Sequence, residues 1–238
     1  MNISAQNLNF RELNIQVKTA CGDVRIDNCC GQRFIGCGLD SKTITIEGTP
    51  GNALGAYLNG AVIKVNGNVQ DAVGDTMNDG KIIVYGSAGD ALGYAMRGGS
   101  IFIRGNAGYR TGIHMKEFMD KKPAIIVGGS VGSFLGEYLA GGLIIVLGID
   151  IDKIPVGNFT GTGMHGGKIF IRTDKKMTVL PSQVSAEIAT SEDLQEIVSL
   201  LFEFSAYFSI DAEKLIKDQF YVLKPDAKNP YKQLYVIN

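Results

Sequence analysis

"GSAGDALGYAMRGGSIFIRG", residues 86–105, sets Gly86, Gly89 and Gly93 in quick succession ahead of an apolar strand-like run. On its own it reads as a phosphate-binding glycine loop, which requires one such loop between a strand and a helix. It does not occur on its own. "ITIEG", "IKVNG", "IIVYG" and "IFIRG" begin at Ile44, Ile63, Ile82 and Ile101, each 19 residues after the last. "IIVGG" at Ile125 follows after 24 residues, "IIVLG" at Ile144 after 19, and "IFIRT" at Ile169 after 25. A glycine pattern copied between successive strands serves the shape of the chain rather than one nucleotide.

Inside the units the skeleton G-x-x-G-x-x-x-G recurs as Gly48/Gly51/Gly55, Gly86/Gly89/Gly93, Gly105/Gly108/Gly112 and Gly129/Gly132/Gly136. The unit at Gly67 and Gly74 has Gln70 in the middle, a weaker unit precedes with Gly36, and the last stretches to Gly148, Gly157 and Gly161. Apolar columns run through the repeat. The first is Ile44, Ile63, Ile82, Ile101, Ile125, Ile144 and Ile169. The second, two residues on, is Ile46, Val65, Val84, Ile103, Val127, Val146 and Ile171. A β-branched pair spaced by two marks one face of a strand. A third column is Leu58, Met77, Met96, Met115, Leu139 and Met164.

No such unit can bury its apolar face alone, whereas neighbours stacked at ~4.8 Å can. Nineteen residues do not hold a strand, a long helix and two turns. The pattern therefore predicts an all-β fold, a single-stranded parallel β-helix of about seven coils over residues 25–173. Glycine makes up 31 of 238 residues, well above the usual ~7%. The expected reason is φ > 0 at the corners, together with stacking too tight for a Cβ. Residues 1–24 are expected to form an N-terminal cap and 174–238 a helical and extended tail.

In the tail, Leu194, Ile197, Val198, Leu201, Phe202 and Phe208 fall at helical spacing after Thr190 or Ser191 as N-cap. A second short helix is expected from Ser209, and "FYVLKP" and "YKQLYVI" read as extended. The tail is expected to cover the open end of the solenoid, whose free edge would otherwise invite aggregation. Two insertions, "KEFMDKKPA" after Met115 and "IDIDKIPV" after Gly148, leave the coils at different corners.

The net charge of −1 gives no electrostatic footprint for nucleic acid or an anionic membrane. The first residues lack a basic stretch followed by an apolar run, and no apolar run is long enough to span a bilayer. A cytoplasmic protein is expected.

The glycine skeleton and its long motifs resemble the C-terminal domain of the glutamate synthase large subunit. They include "RELN", "GYAMRGG", "GYRTGIHMK", "GEYLAGG", "GTGMHGG" and the ending "FYVLKP…YKQL". The resemblance implies a right-handed β-helix without catalytic, cofactor or metal residues of its own, acting as scaffold. A similar fold occurs in a subunit of formylmethanofuran dehydrogenase. Because the chain shows neither an N-terminal nucleophilic Cys nor a flavin barrel, it is expected to stand as a separate subunit. The partners so implied are a glutamine amidotransferase subunit and a synthase subunit carrying FMN and an iron–sulfur cluster.

Other constellations are weaker. Gly128 to Gly132 spell G-x-S-x-G around Ser130, with His165 downstream. A serine esterase would need a strand-to-helix elbow and an acid between them, and Ser130 shares its repeat position with Thr49, Asn68, Ser87 and Asn106. "GTGMHG" lacks a following helix for a dinucleotide. His114 and His165 lie two coils, about 10 Å, apart, too far to share a metal at ~2 Å per bond. Cys21, Cys29, Cys30 and Cys37 match no iron–sulfur spacing.

Beside the methionine column stand residues that the repeat does not require: Tyr94, Arg97, Arg110, His114, Lys116, Glu137, Tyr138 and His165. With strand-like local geometry they would face outward, as a solvated face or as a docking face. Arg and Tyr are enriched at interface hot spots, so the functional expectation is a partner interface. A serine esterase and a homo-oligomeric structural protein remain as the alternatives.

Overall fold

The computed structural model describes residues 1–226. Strand β1 (Asn2–Ser4) and helix α1 (Phe10–Thr19) precede eight strands laid one per coil. These are β2 (Val24–Cys30), β3 (Thr43–Thr49), β4 (Asn59–Asn66), β5 (Asp79–Val84), β6 (Ser100–Ile103), β7 (Ala124–Val127), β8 (Ala140–Val146) and β9 (Gly166–Arg172). The tail follows as β10 (Val184–Ile188), α2 (Ser191–Gln195), α3 (Val198–Phe208), α4 (Ala212–Lys217) and β11 (Phe220–Pro225). Among the described residues all strands join one sheet in the order β1 to β9, then β11, then β10. From β1 to β9 every pairing is parallel, the pattern of a β-solenoid.

The register is the one set by the repeat. Ile63 pairs with Ile44 and Ile82, Ile101 with Ile82 and Ile125, and Ile144 with Ile125 and Ile169. Both isoleucine–valine columns and the Leu/Met column are fully buried. A further buried column, Leu54, Val73, Leu92, Thr111, Leu135 and Thr160, completes the interior. The hydroxyls of Thr111 and Thr160 each donate to a carbonyl three residues back, Gly108 O and Gly157 O, both at 3.3 Å. The polar group therefore enters the core already paired.

The glycines divide the corner work with other residues. In the coil of residues 86–105 Gly93 (φ +67°) and Gly99 (φ +76°) are left-handed, and at Gly93 an added Cβ would also lie 2.4 Å from Ile125 Cδ1. Gly86 has ordinary φ and is required by closeness alone, because a Cβ would sit 2.6 Å from Gly67 O in the coil before. The remaining left-handed corners are not glycines: Ala91 (φ 56°) and Ala95 (φ 50°) take them. Ala91 is thus a half-buried corner residue.

The tail's strands cover the open end of the solenoid as expected, and its helices lie on another surface. The outward residues between the two strand columns change from Thr45 and Lys64 to Ile83, Phe102, Ile126, Ile145 and Phe170, all five fully buried. They pack against Ile197, Leu201, Phe204, Phe208 and Leu215 of the tail. The helices therefore cover the flank of the sheet. The open end at β9 is met by β11, which pairs antiparallel with β9 and with β10.

The single expected helix is broken into α2 and α3 around Glu196 and Ile197, with Thr190 as the N-cap of α2. Phe202 lies on the solvent side, 52% exposed. Ser209, expected to begin a helix, instead closes α3 in left-handed geometry, and Asp211 caps α4. "FYVLKP" is β11, whereas "YKQLYVI" lies outside the described residues.

At the other end α1 opens with a reciprocal capping box between Asn9 and Glu12. It buries Leu13 and Val17 in the same core cluster as Ile26, Ile35 and Ile44.

Candidate docking face

Two left-handed corners per coil, stacked coil on coil, create the face. One corner column runs Ala53, Ala72, Ala91, Arg110, Phe134 and Phe159; the other runs Tyr57, Thr76, Ala95, His114 and Tyr138. Left-handed backbone costs a non-glycine residue ~1–2 kcal/mol. It is held because each corner amide is tied to the next coil: Arg110 N to Ser133 O (3.0 Å), His114 N to Glu137 O (2.9 Å) and Tyr138 N to Thr162 O (2.9 Å). The geometry at these positions is a turn, where strand-like backbone was expected.

The turns bring the predicted residues into two groups. His114 stacks on Tyr138 with ring centroids 5.0 Å apart and planes 10° apart, and Tyr94 meets His114 edge-on at 6.0 Å. Arg110 Nε donates to Glu137 Oε2 at 3.0 Å, and its guanidinium lies 5.3 Å from the Phe134 ring centroid. Phe134 in turn stacks on Phe159 at 5.0 Å.

Arg97, Lys116 and His165 occupy the column after the methionines. Lys116 is exposed, and His165 Nδ1 lies 3.2 Å from Gly163 O. The Nε of Arg97 is buried and has no hydrogen-bond partner among the described residues.

The sequence reading missed Phe134, Phe159 and Tyr109, which extend the aromatic strip. Phe159 is 57% and Tyr109 56% exposed. For Phe134 and Phe159 the signal was present in the corner column, which is alanine at positions 53, 72 and 91 before it becomes Arg110, Phe134 and Phe159.

The chemistry needed for the alternatives is not assembled. Ser130 belongs to a ladder in which Asn68 Oδ1 accepts from Ser87 N, Ser87 Oγ from Asn106 N, and Asn106 Oδ1 from Ser130 N. Its hydroxyl donates to Asn106 Oδ1 at 3.1 Å, so it is engaged as a donor away from any imidazole. Burial pushes the Cys29 thiol up to about 11, and burial with the nearby Asp75 carboxylate raises that of Cys37. Both are therefore poor thiolate nucleophiles at neutral pH. Among the described residues no cluster of three or more His, Cys, Asp or Glu side chains could hold a metal. No helix there is long and apolar enough to cross a membrane.

Residues 3–228 match the family described as the GXGXG motif. The chain belongs to the GXGXG motif family. This GXGXG chain is 40% identical over 249 aligned positions to an uncharacterized protein of Methanocaldococcus jannaschii, with 98% of this chain and 95% of that protein covered. Its fold is similar to a chain in the crystal structure of the formyltransferase/hydrolase complex of Methylorubrum extorquens, solved with methylofuran. There the TM-score is 0.62 at 18% identity, over 92% of this chain and 89% of the other. At that identity the likeness is one of fold.

Proposed function

We propose that this GXGXG chain is a non-catalytic scaffold subunit of a glutamate-synthase-like complex in the cytoplasm. It links a glutamine amidotransferase subunit to a synthase subunit that carries FMN and an iron–sulfur cluster. The observation that carries this reading is the stacked-corner face. The first corner column, alanine at positions 53, 72 and 91, becomes Arg110 and Phe134, the second carries His114 and Tyr138, and the adjoining Arg97 has a buried Nε without a partner among the described residues. Tyr and Arg presented on a rigid scaffold are the residues that dominate binding energy at interfaces. Family membership and a fold shared with a chain from a multisubunit complex support a subunit role.

The reaction implied is glutamine hydrolysis on one partner and reductive amination on the other. This chain contributes their relative placement. Affinity purification of the chain from its own organism tests the proposal. Both subunits are expected to co-elute with flavin absorbance and glutamine-dependent amino-acid synthesis. Elution as a homo-oligomer without either partner overturns the proposal.

A further inference from the structure

Helix α1 and the first coil enclose an open groove of about 480 Å³ at the end of the solenoid opposite the tail. Its walls are mainly apolar, with Phe10, Ile15, Val17, Phe34 and Leu39. Ile15 is 63% and Phe34 42% exposed, large apolar surface left in water. The hydrogen bonds of Asn14 Nδ2 to Phe10 O (2.7 Å) and Arg33 O (2.8 Å) fix the helix against the coil, so the groove is built rather than incidental.

The charged side chains of its lining, Arg11 and Lys18, are both cations, while the Asp75 carboxylate acts on the lining residue Cys37. The guanidinium of Arg11 lies 5.6 Å and that of Arg33 4.9 Å from the Phe10 ring centroid, and Arg33 is also 6.0 Å from that of Phe34. Lys18 belongs to the same lining, which contains no carboxylate. The one acid on α1, Glu12, turns back to accept from Asn9 N. Several cations elsewhere are paired with acids, as in Arg25 with Asp27 and Glu47 or Arg172 with Asp218. Here two like charges are gathered on one aromatic ring with no anion between them.

We propose that this groove docks an acidic, amphipathic segment of a partner protein. Its apolar side chains would enter between Ile15 and Phe34, and its carboxylates would meet Arg11, Arg33 and Lys18. Arginine forks held on an aromatic face are preorganised for carboxylates, and an amphipathic helix laid in an apolar groove is a recurrent mode of recognition. The groove is open along its length, which suits a segment lying across the surface better than an enclosed fatty acid. This surface is separate from the stacked-corner face and does not depend on the reaction proposed above.

The test uses the whole chain and fluorescence anisotropy with two labelled amphipathic helical peptides, one of Leu and Glu and one of Leu and Lys. The expected result is saturable binding of the Glu peptide, at least ten-fold tighter than the Lys peptide. That binding should weaken at least ten-fold in Arg11→Glu/Arg33→Glu and in Ile15→Asp. These three side chains are exposed, so the fold should survive, and thermal melts check it; Lys18→Glu serves if the double variant fails to fold. Equal binding of the two peptides, no binding to millimolar concentration, or binding unaffected by the substitutions overturns the proposal. Dodecanoate saturating the groove while neither peptide binds reassigns it to a lipid and equally overturns it.

Discussion

The carboxylate of Asp71 accepts a hydrogen bond from the backbone N–H of Asp90 at 2.9 Å, and Asp90 repeats the contact with Tyr109 N at 2.8 Å. Asn52 begins this ladder and Ser133 carries it on to Asn158 N. A second ladder runs from Asn68 through Ser87 and Asn106 to Ser130. Short acceptors thus tie each coil to the next where the backbone turns too sharply for a continuous sheet. Each ladder fills one repeat position, the role that Asx turns play locally.

The ladder predicts a graded response. Asp90→Ala removes the acceptor for Tyr109 N and should cost about 0.5–1.5 kcal/mol in urea denaturation. Asp90→Asn keeps the acceptor and removes one of two stacked negative charges, so its stability should equal or slightly exceed the parent. Asn106 serves both the amide and the hydroxyl of Ser130, so Asn106→Ala should cost more than Asp90→Ala. Equal stability of both alanine variants and the parent would sink this account of the ladder.

Two glycines with nearly the same φ separate packing from backbone strain. Gly22 (φ +74°) has nothing within 4 Å of an added Cβ, while Gly93 (φ +67°) would place it 2.4 Å from Ile125 Cδ1. Gly22→Ala should cost about 1–2 kcal/mol, the left-handed penalty alone. Gly93→Ala should cost about 1–3 kcal/mol more, because the core must also shift. Thermal melts of the two variants measure the difference, and equal losses would mean that the stacking of Gly93 on Ile125 is unimportant.

The repeat made the coils legible because every column recurs and stacked backbones amplify it. Ile44 through Ile169 could be aligned by eye, and the structure pairs them in that register. Less legible was the tail. Its helix phase near Phe202 is misread because Ile197 interrupts the pattern, and the periodicity of one short helix carries little information. The docking of α3 on the flank could have been read from Ile83, Phe102 and Phe170, outward positions that should be polar on a solvated solenoid. The corner geometry of His114 and Tyr138 was hidden, because neither side chain signals left-handed backbone. The residues of the face stood out only as departures from the repeat.

Tail attachment should depend on pH. Burial pushes the Asp193 carboxyl up, but hydrogen bonds from Lys224, from the Thr190 backbone and from Lys168 outweigh it and leave the group well below its ordinary 3.8. Glu196 is likewise lowered from 4.5: burial is opposed and outweighed by Lys168 and Lys122. For carboxylates with depressed folded values, the stabilisation is full above the ordinary value. It is lost as pH falls toward the folded one. The tail should therefore loosen below about pH 4, exposing Phe102, Ile126 and Phe170 to a hydrophobic dye before the solenoid itself melts. Asp193→Asn should show dye binding already near neutral pH. A dye signal that appears only with loss of the β-sheet circular dichroism would contradict the mechanism.

The stacked-corner face makes a prediction that separates docking from folding. A residue kept for the fold loses stability when it is removed, whereas Arg97 has a buried Nε with no partner among the described residues. Leaving a buried donor unpaired costs about 1–3 kcal/mol, so Arg97→Ala should leave the melting temperature of the isolated chain unchanged or raise it. In the complex the same substitution should weaken association by at least about 2 kcal/mol, roughly thirty-fold in Kd. Arg97→Glu/Lys116→Glu should abolish co-purification with the partner subunits. Tyr138→Ala should weaken binding and also lose the His114 stack, seen as a shift in the imidazole resonances. A stable Arg97→Ala chain that assembles as well as the parent would assign Arg97 to solvent and move the interface elsewhere.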